Sequence, residues 1–430
     1  MSLSKLESLP NEILIDIIEK YINGVDLLRA FSFQLNQRFD LLITRCQRLR
    51  FDFIQCHKDD FRFCMGLLPA YIDKIEELSI SEQDTPGQVY AFLSFFPSFA
   101  LFKHLRRLYF HFNDENLDWN SVENALYSLP ETTIDTLSIK GSLKENRCLL
   151  GNTIAHIFGL KSLKRFSLLS DFDRMYWNNL AKISSNIEHL TISGINCKFQ
   201  DLQYIFQCAS RLKYLDIEIA GRGVSFLNEK ETRPKKNIVV MLTLRTLVLY
   251  FADNSLVTMD MLTEYLNSMP ILKYLEIKAH SELLDANAWK MFLEISLPSL
   301  THFTLRTTSS RVEEIGLHNM LSSFQSSYWI SKQNFNLMIT EHERWNYVGF
   351  GIGETKYHFR HEFDWPMIWC WTAPNRTINN DLIIRKEWEY DLRRKTKFLF
   401  QVTADTMTVW LDEAAFEEPY WRTLETCTEP

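Results

Sequence analysis

The chain has 430 residues, of which 46% are hydrophobic and 23% charged, and a formal net charge of -7. It is too long for one growing hydrophobic core, so several domains or a repeat array are expected. The acidic balance and the lack of a basic domain argue against a nucleic-acid module, because phosphate contacts need a cationic face. Eight cysteines (Cys46, Cys56, Cys64, Cys148, Cys197, Cys208, Cys370 and Cys427) form no C-x-x-C pair, which fits reduced thiols in a cytosolic or nuclear protein.

The first twenty residues carry acidic side chains and no basic segment followed by an apolar core, so no secretory signal is expected. Pro10 is placed for a first helical turn, and Ile13, Leu14, Ile17, Ile18 and Tyr21 follow at three- and four-residue steps. Asn23-Gly24 is expected to stop that helix. Asp26 should cap a second through Leu27, Leu28 and Phe31, and Leu35, Phe39, Leu41 and Leu42 mark a third. Such a small bundle has surplus apolar surface, to be covered by the chain behind it or by a partner.

The apolar stretch from Ala91 to Phe102 is broken by Pro97 and falls short of the roughly 20 residues of a membrane helix, so it reads as buried helix and turn. From Ile75 onward a pattern L-x-x-L-x-L recurs nine times. Its middle residue is Leu78, Leu108, Leu137, Phe166, Leu190, Leu215, Leu247, Leu275 or Phe303, a spacing that brackets the leucine-rich-repeat period. Helical stripes lie between the patterns (Val122, Ala125, Leu126, Leu129; Leu202, Ile205, Phe206; Leu262, Tyr265, Leu266, Met269), and prolines 130, 270 and 298 end them. The expectation is a stacked solenoid with degenerate turns. Residues 228–237, charged and proline-containing, read as an exposed loop.

In such strands the residues between the leucines face outward. Tyr109, Tyr214, Tyr250 and Tyr274 would then share a surface suited to protein recognition. Charge along it is polarised, with Arg107, Lys140 and Arg165 early and Asp216, Glu218 and Glu276 late. The candidate target-binding set is Tyr109, Tyr214, Asp216, Glu218, Tyr250, Tyr274 and Glu276.

Beyond Arg306 the leucine spacing stops and tryptophans dominate. Alternating runs at Phe335–Ile339, Tyr357–Phe363 and Phe398–Val402 suggest antiparallel strands capping the array. The cluster Trp365, Trp369 and Trp371 reads as core packing, and Gly349 to Gly353 as a hairpin turn. His358 and His361 would face opposite sides of a strand and complete no metal site. No phosphate loop, nucleophile elbow or H-E-x-x-H is present, so no catalytic residue, metal or cofactor is assigned.

The order Leu9-Pro10-x-Glu12-Ile13-Leu14, the Asp26-Leu27-Leu28 turn and Arg38-Phe39 resembles the F-box over residues 6–43. Two departures stand out: Ile17 or Ile18 replaces a frequent aromatic, and Phe39 replaces a tryptophan that a cysteine often precedes. With the leucine patterns, the whole resembles F-box proteins carrying degenerate leucine-rich repeats. The resemblance implies an α/β chain with an F-box at 1–45, a helical connector at 46–70, a leucine-rich-repeat solenoid at 71–310 and a β-rich region at 311–430.

It further implies a non-catalytic substrate receptor of an SCF-type cullin ubiquitin ligase, with the cullin adaptor bound through Leu9, Pro10, Ile13, Leu14, Ile17, Leu27 and Leu28. The partners would be that adaptor, the cullin scaffold and a protein substrate, with neither nucleic acid nor membrane. The alternative is a ligase-independent interaction scaffold.

Overall fold

The computed structural model describes residues 9–31, 37–82, 85–113, 119–142, 150–170, 177–219, 239–251, 258–279, 285–308, 335–342, 365–372, 383–384, 387–390, 396–402 and 407–411. It divides into two compact units, residues 1–250 with 268–272, and residues 251–267 with 273–430.

The first unit begins with α1 (Asn11–Tyr21), α2 (Gly24–Phe31) and α3 (Gln37–Arg45), followed by the strand β1 (Leu49–Asp52) and α4 (Lys58–Leu67). Strand and helix then alternate: β2 (Ile75–Ser81), α5 (Gln88–Phe95), β3 (Arg107–Asn113), α6 (Trp119–Tyr127), β4 (Thr136–Ser142), α7 (Leu150–Phe158) and β5 (Arg165–Ser170). β6 (His189–Cys197), α8 (Leu202–Cys208), β7 (Tyr214–Ile219) and β8 (Thr246–Phe251) complete it. The strands lie in sequence order, each leucine pattern occupying one strand. Leu78, Leu108, Leu137, Phe166, Leu190 and Leu215 stand in register across β2 to β7.

Alternation along a strand puts successive side chains on opposite faces. One face of the sheet is therefore sealed: Leu108, Phe110, Leu137, Ile139, Leu168, Leu190, Leu215 and Ile217 are buried, as are Val89, Phe92, Val122, Leu126, Ile205 and Phe206 from the helices. The Ala91–Phe102 stretch forms α5 and a turn, and Phe92 packs on Phe96, Phe99 and Phe102 with ring centroids 5.1, 6.4 and 6.0 Å away.

The second unit contains α9 (Met259–Leu266), β9 (Tyr274–Ala279), α10 (Ala286–Ser296) and β10 (His302–Thr308), with β9 and β10 parallel. Asp285 caps α10 by accepting from the backbone N–H groups of Asn287 and Ala288 at 2.9 and 3.0 Å. β11 (Phe335–His342) and β12 (Trp365–Thr372) come next, and β12 pairs antiparallel with both β10 and β11. β13 (Ile383–Ile384), β14 (Glu387–Tyr390), β15 (Thr396–Val402) and β16 (Met407–Leu411) complete the unit, with β15 antiparallel to β13, β14 and β16.

These findings correct the expected architecture. The described residues show no clear three-helix F-box followed by a leucine-rich-repeat solenoid and a β-rich cap. The chain is of α/β type, with eight parallel strands in the first unit and two in the second, ten in all. The interval 46–70, expected to be a helical connector, contains β1, whose partner is β2. Among the C-terminal strands, β12 adds directly to the edge of β10.

The N-terminal helices are built into the first unit because so few residues cannot enclose their own core. α2 lies on β1 and α4, and an ideal Cβ on Gly24 would stand 2.6 Å from the Phe51 ring, so only glycine permits that approach. Asn23 ties the helices to the exposed edge of β1: its side chain donates to the Asp52 carbonyl and accepts from the Asp52 N–H, both at 3.0 Å. The Asn23 side chain also accepts from the Val25 N–H at 3.2 Å, so Asn23 fills the capping role expected of Asp26. Arg50 donates to the Lys20 carbonyl, and Lys74 donates to the Ile43 and Thr44 carbonyls at the end of α3.

A second device escapes the leucine pattern. At the start of successive strands the charge alternates through Arg48, Glu76, Arg106, Asp135, Lys164, Glu188 and Lys213, and Arg245 before β8 ends the alternation. Arg106 bridges Glu76 at 3.1 Å and Asp135 at 2.7 Å, and Lys213 meets Glu188 at 2.6 Å. These pairs are half-exposed, each contributing about 1 kcal/mol or less.

Past β6, Asp201 accepts from the Lys198 N–H at 2.9 Å, and burial pushes its carboxyl up to about 6 from an ordinary 3.8. The folded chain therefore holds a proton that the unfolded chain releases between these values. The contribution of Asp201 to stability is fullest below about pH 4 and falls as the pH rises towards 6, by on the order of 3 kcal/mol. Asp201→Asn should remove this fall, and chemical denaturation at pH 4, 5, 6 and 7 measures it; an undiminished slope in the variant would assign it elsewhere.

Candidate interaction surfaces

The seven residues expected at an adaptor interface separate into two groups. Leu14, Leu27 and Leu28 are 1%, 1% and 2% exposed and belong to the interior of the first unit. Pro10 and Ile13 are exposed, while Leu9 and Ile17 are half-buried. Ile13, Ile17 and Tyr21 recur at four-residue steps and form one stripe along α1, with Ile13 48% and Tyr21 78% exposed. Leu14 and Ile18 take the opposite, buried side.

This stripe is held by specific contacts. Arg38 of α3 donates to the Leu9 carbonyl at 2.6 Å and to the Asn11 side chain at 2.8 Å, fixing the leucine-proline entry to α1. Glu19 accepts from the Gln47 N–H at 2.6 Å, anchoring the far end of α1. α3 packs against α1 and exposes Leu41 at 59%. Arg29 of α2 meets Asp60 of α4 at 3.2 Å, which pins the second helix to the fourth. Exposed apolar residues on an immobilised helix lose little entropy on docking.

The second surface is the sheet face opposite the helices. In the first unit Tyr109, Tyr214, Asp216, Glu218 and Tyr250 are half-buried there, and burial raises the Tyr109 hydroxyl above its ordinary pKa. The Tyr214 ring stacks on His189 at 5.9 Å and its hydroxyl lies 3.4 Å from the Asp216 carboxylate. Glu218 accepts from the Ser193 hydroxyl and the Gly194 N–H, both at 2.7 Å, where Gly194 has a positive φ of 75° and β6 breaks register. That carboxylate is occupied in holding an irregular strand.

In the second unit, Tyr274 stacks on His302 at 6.0 Å and donates to Glu276 at 2.9 Å, repeating the tyrosine–carboxylate arrangement. The side chain of Arg306 lies outside the described residues, as do His358, His361, residues 228–237 and the Gly349–Gly353 segment. The side chains of Trp365, Trp369 and Trp371 lie outside them as well.

Nucleophile chemistry finds little support among the described residues. A hollow lined by Gln55, Cys56, His57, Lys58, Thr85 and Pro86 brings a thiol beside an imidazole in sequence. Burial pushes the Cys56 thiol up to about 11, however, and its Sγ lies 3.5 Å from the His57 carbonyl. Cys46, Cys64 and Cys208 are pushed up to about 11, 12 and 12 by burial too, so none is a thiolate at neutral pH. No group of three His, Cys, Asp or Glu side chains that could hold a metal occurs among the described residues. None of their helices is long and apolar enough to cross a membrane.

The architecture and its two surfaces define a parallel α/β protein with an apolar stripe on its first helix. The chain matches no protein-family model, and no curated protein matches it.

Proposed function

We propose that this protein is a non-catalytic substrate receptor of an SCF-type cullin ubiquitin ligase, acting in the cytosol or nucleus. The observation that carries the reading is the stripe Pro10, Ile13, Ile17 and Tyr21, left open on a helix whose other side is already buried. The residue order that resembles the F-box falls on this same helix and its neighbours. In this reading α1 seats the cullin adaptor and the open sheet face takes the protein to be modified. The contribution to catalysis is proximity: a tethered target meets the ubiquitin carrier at high effective concentration.

Co-purification of the full chain with the SCF adaptor and cullin tests it. Recovery of adaptor in stoichiometric amount is the expected result, and none recovered would sink the assignment. One observation favours a second reading, a ligase-independent scaffold: α1 and α2 are packed on β1 and shield the sheet's first edge, which is a structural task in itself. A partner captured through the sheet face, with no adaptor, would decide for it.

A further inference from the structure

The sheet face of the first unit contains a floor of small hydroxyls. Ser138 of β4, Ser167 of β5 and Thr191 of β6 are neighbours in register, with Tyr109 of β3 at one end and Asp216 of β7 at the other. All three are half-buried on the face opposite the described helices. Their hydroxyls are donors on short side chains.

Two cations flank this floor on opposite sides. Arg165 stands two residues before Ser167 on β5, and Lys140 two residues after Ser138 on β4. Both are exposed, and neither has an ion pair among the described residues. Nearby cations are already satisfied: Arg107 meets Glu77 at 3.2 Å and Arg106 bridges Glu76 and Asp135. Arg165 is close enough to Tyr109 and to His189 to act electrostatically on both.

Register fixes their separation. Thr136 is opposite Arg165, and Lys140 lies four residues beyond Thr136 on the adjacent strand. At about 3.3 Å per residue and 4.8 Å between strands, the two Cα atoms are about 14 Å apart. One cation at each end can neutralise one charge at each end. A dianionic phosphate would want both cations at one point.

We infer that this patch receives an extended acidic segment of a partner protein, with two carboxylate side chains about four residues apart, one against Arg165 and one against Lys140. The backbone of the segment crosses the Ser138–Ser167–Thr191 floor, whose hydroxyls bond its carbonyls. The inference rests on the receptor reading only in calling the segment part of the target. The chain as a whole carries -7, so its overall charge repels such a segment and any capture is local.

The test uses the full chain and a fluorescein-labelled probe, Gly-Glu-Ala-Ser-Ala-Glu-Gly, read by anisotropy. Saturable binding is expected, weakened about tenfold by Arg165→Glu or Lys140→Glu and by raised salt, and unchanged by the distant Lys58→Glu. Thermal melting confirms that each variant folds. Three results would overturn the inference: no saturation at millimolar probe, equal weakening by Lys58→Glu, or equal or tighter binding of probes with adjacent glutamates, a single phosphoserine or a short oligonucleotide. Adaptor recovery from the same preparations is scored separately. Probe binding without adaptor removes the receptor reading alone, and adaptor without probe removes the acidic segment alone.

Discussion

Changing Ile13 and Ile17 together to aspartate is expected to lower adaptor capture at least about a hundredfold while leaving the melting curve in place. Buried apolar anchors at an interface are commonly worth roughly 2 kcal/mol each, so losing two exceeds that factor. Because Ile13 is 48% exposed and Ile17 half-buried on the outer side of α1, the free chain should lose little. Leu14→Asp gives the contrast. Leu14 is 1% exposed, and an aspartate there would strand a charge in the interior at a cost of about 4 kcal/mol or more. Pull-down beside differential scanning calorimetry separates the two. Full capture by the double variant would remove the stripe from the interface.

Gly24→Val is expected to destabilise the first unit by about 3 kcal/mol, the upper range for overpacking, because the new side chain collides with Phe51. Phe51 is fully buried and stacks on Phe53 with ring centroids 5.9 Å apart, so Phe51→Ala should cost about 3–5 kcal/mol. The double variant should cost less than the sum, since the clash disappears with the ring. Both changes should shift one shared transition for helices and sheet. A separate early melting of α1 to α3, with the sheet unaffected in Gly24→Val, would restore an independent head and contradict the packing of α2 on β1.

How much was legible can be judged from particular residues. Leu78, Leu108 and Leu137 announce strands because burial on one face imposes a period of two within each strand and a helix-length return between them. The stripes Val122–Ala125–Leu126 and Leu262–Tyr265–Leu266 sit on α6 and α9, where their spacing places them. β1 is not legible: Leu49, Phe51 and Phe53 alternate, but the strand is only four residues long and lacks the leading leucine step. The charge ladder from Arg48 to Lys213 was missed because its members lie roughly 25–30 residues apart and meet only across strands.

The candidate surfaces were legible in part. Tyr109, Tyr214 and Tyr274 lie on the open face, as alternation requires. Glu218 is a candidate ligand group by sequence, and in the fold Ser193 and Gly194 occupy it. Similarly, Ile13 and Leu14 are equivalent as adjacent apolar residues in sequence, and only the position of α3 and β1 makes one outer and one inner. The hydroxyl floor could not be read as a floor, since Ser138, Ser167 and Thr191 are unremarkable singly and gain meaning from being in register.

The sequence alone therefore determined where the leucine-pattern strands and the helical stripes between them lie, because apolar periodicity is a local property and each of these elements carries its own. Only the tertiary structure decided that the first helices join the sheet instead of standing apart. Covering the leftover apolar surface of a head so small depends on what lies within reach in space, and Gly24 against Phe51 shows that the nearest cover was the chain's own first strand.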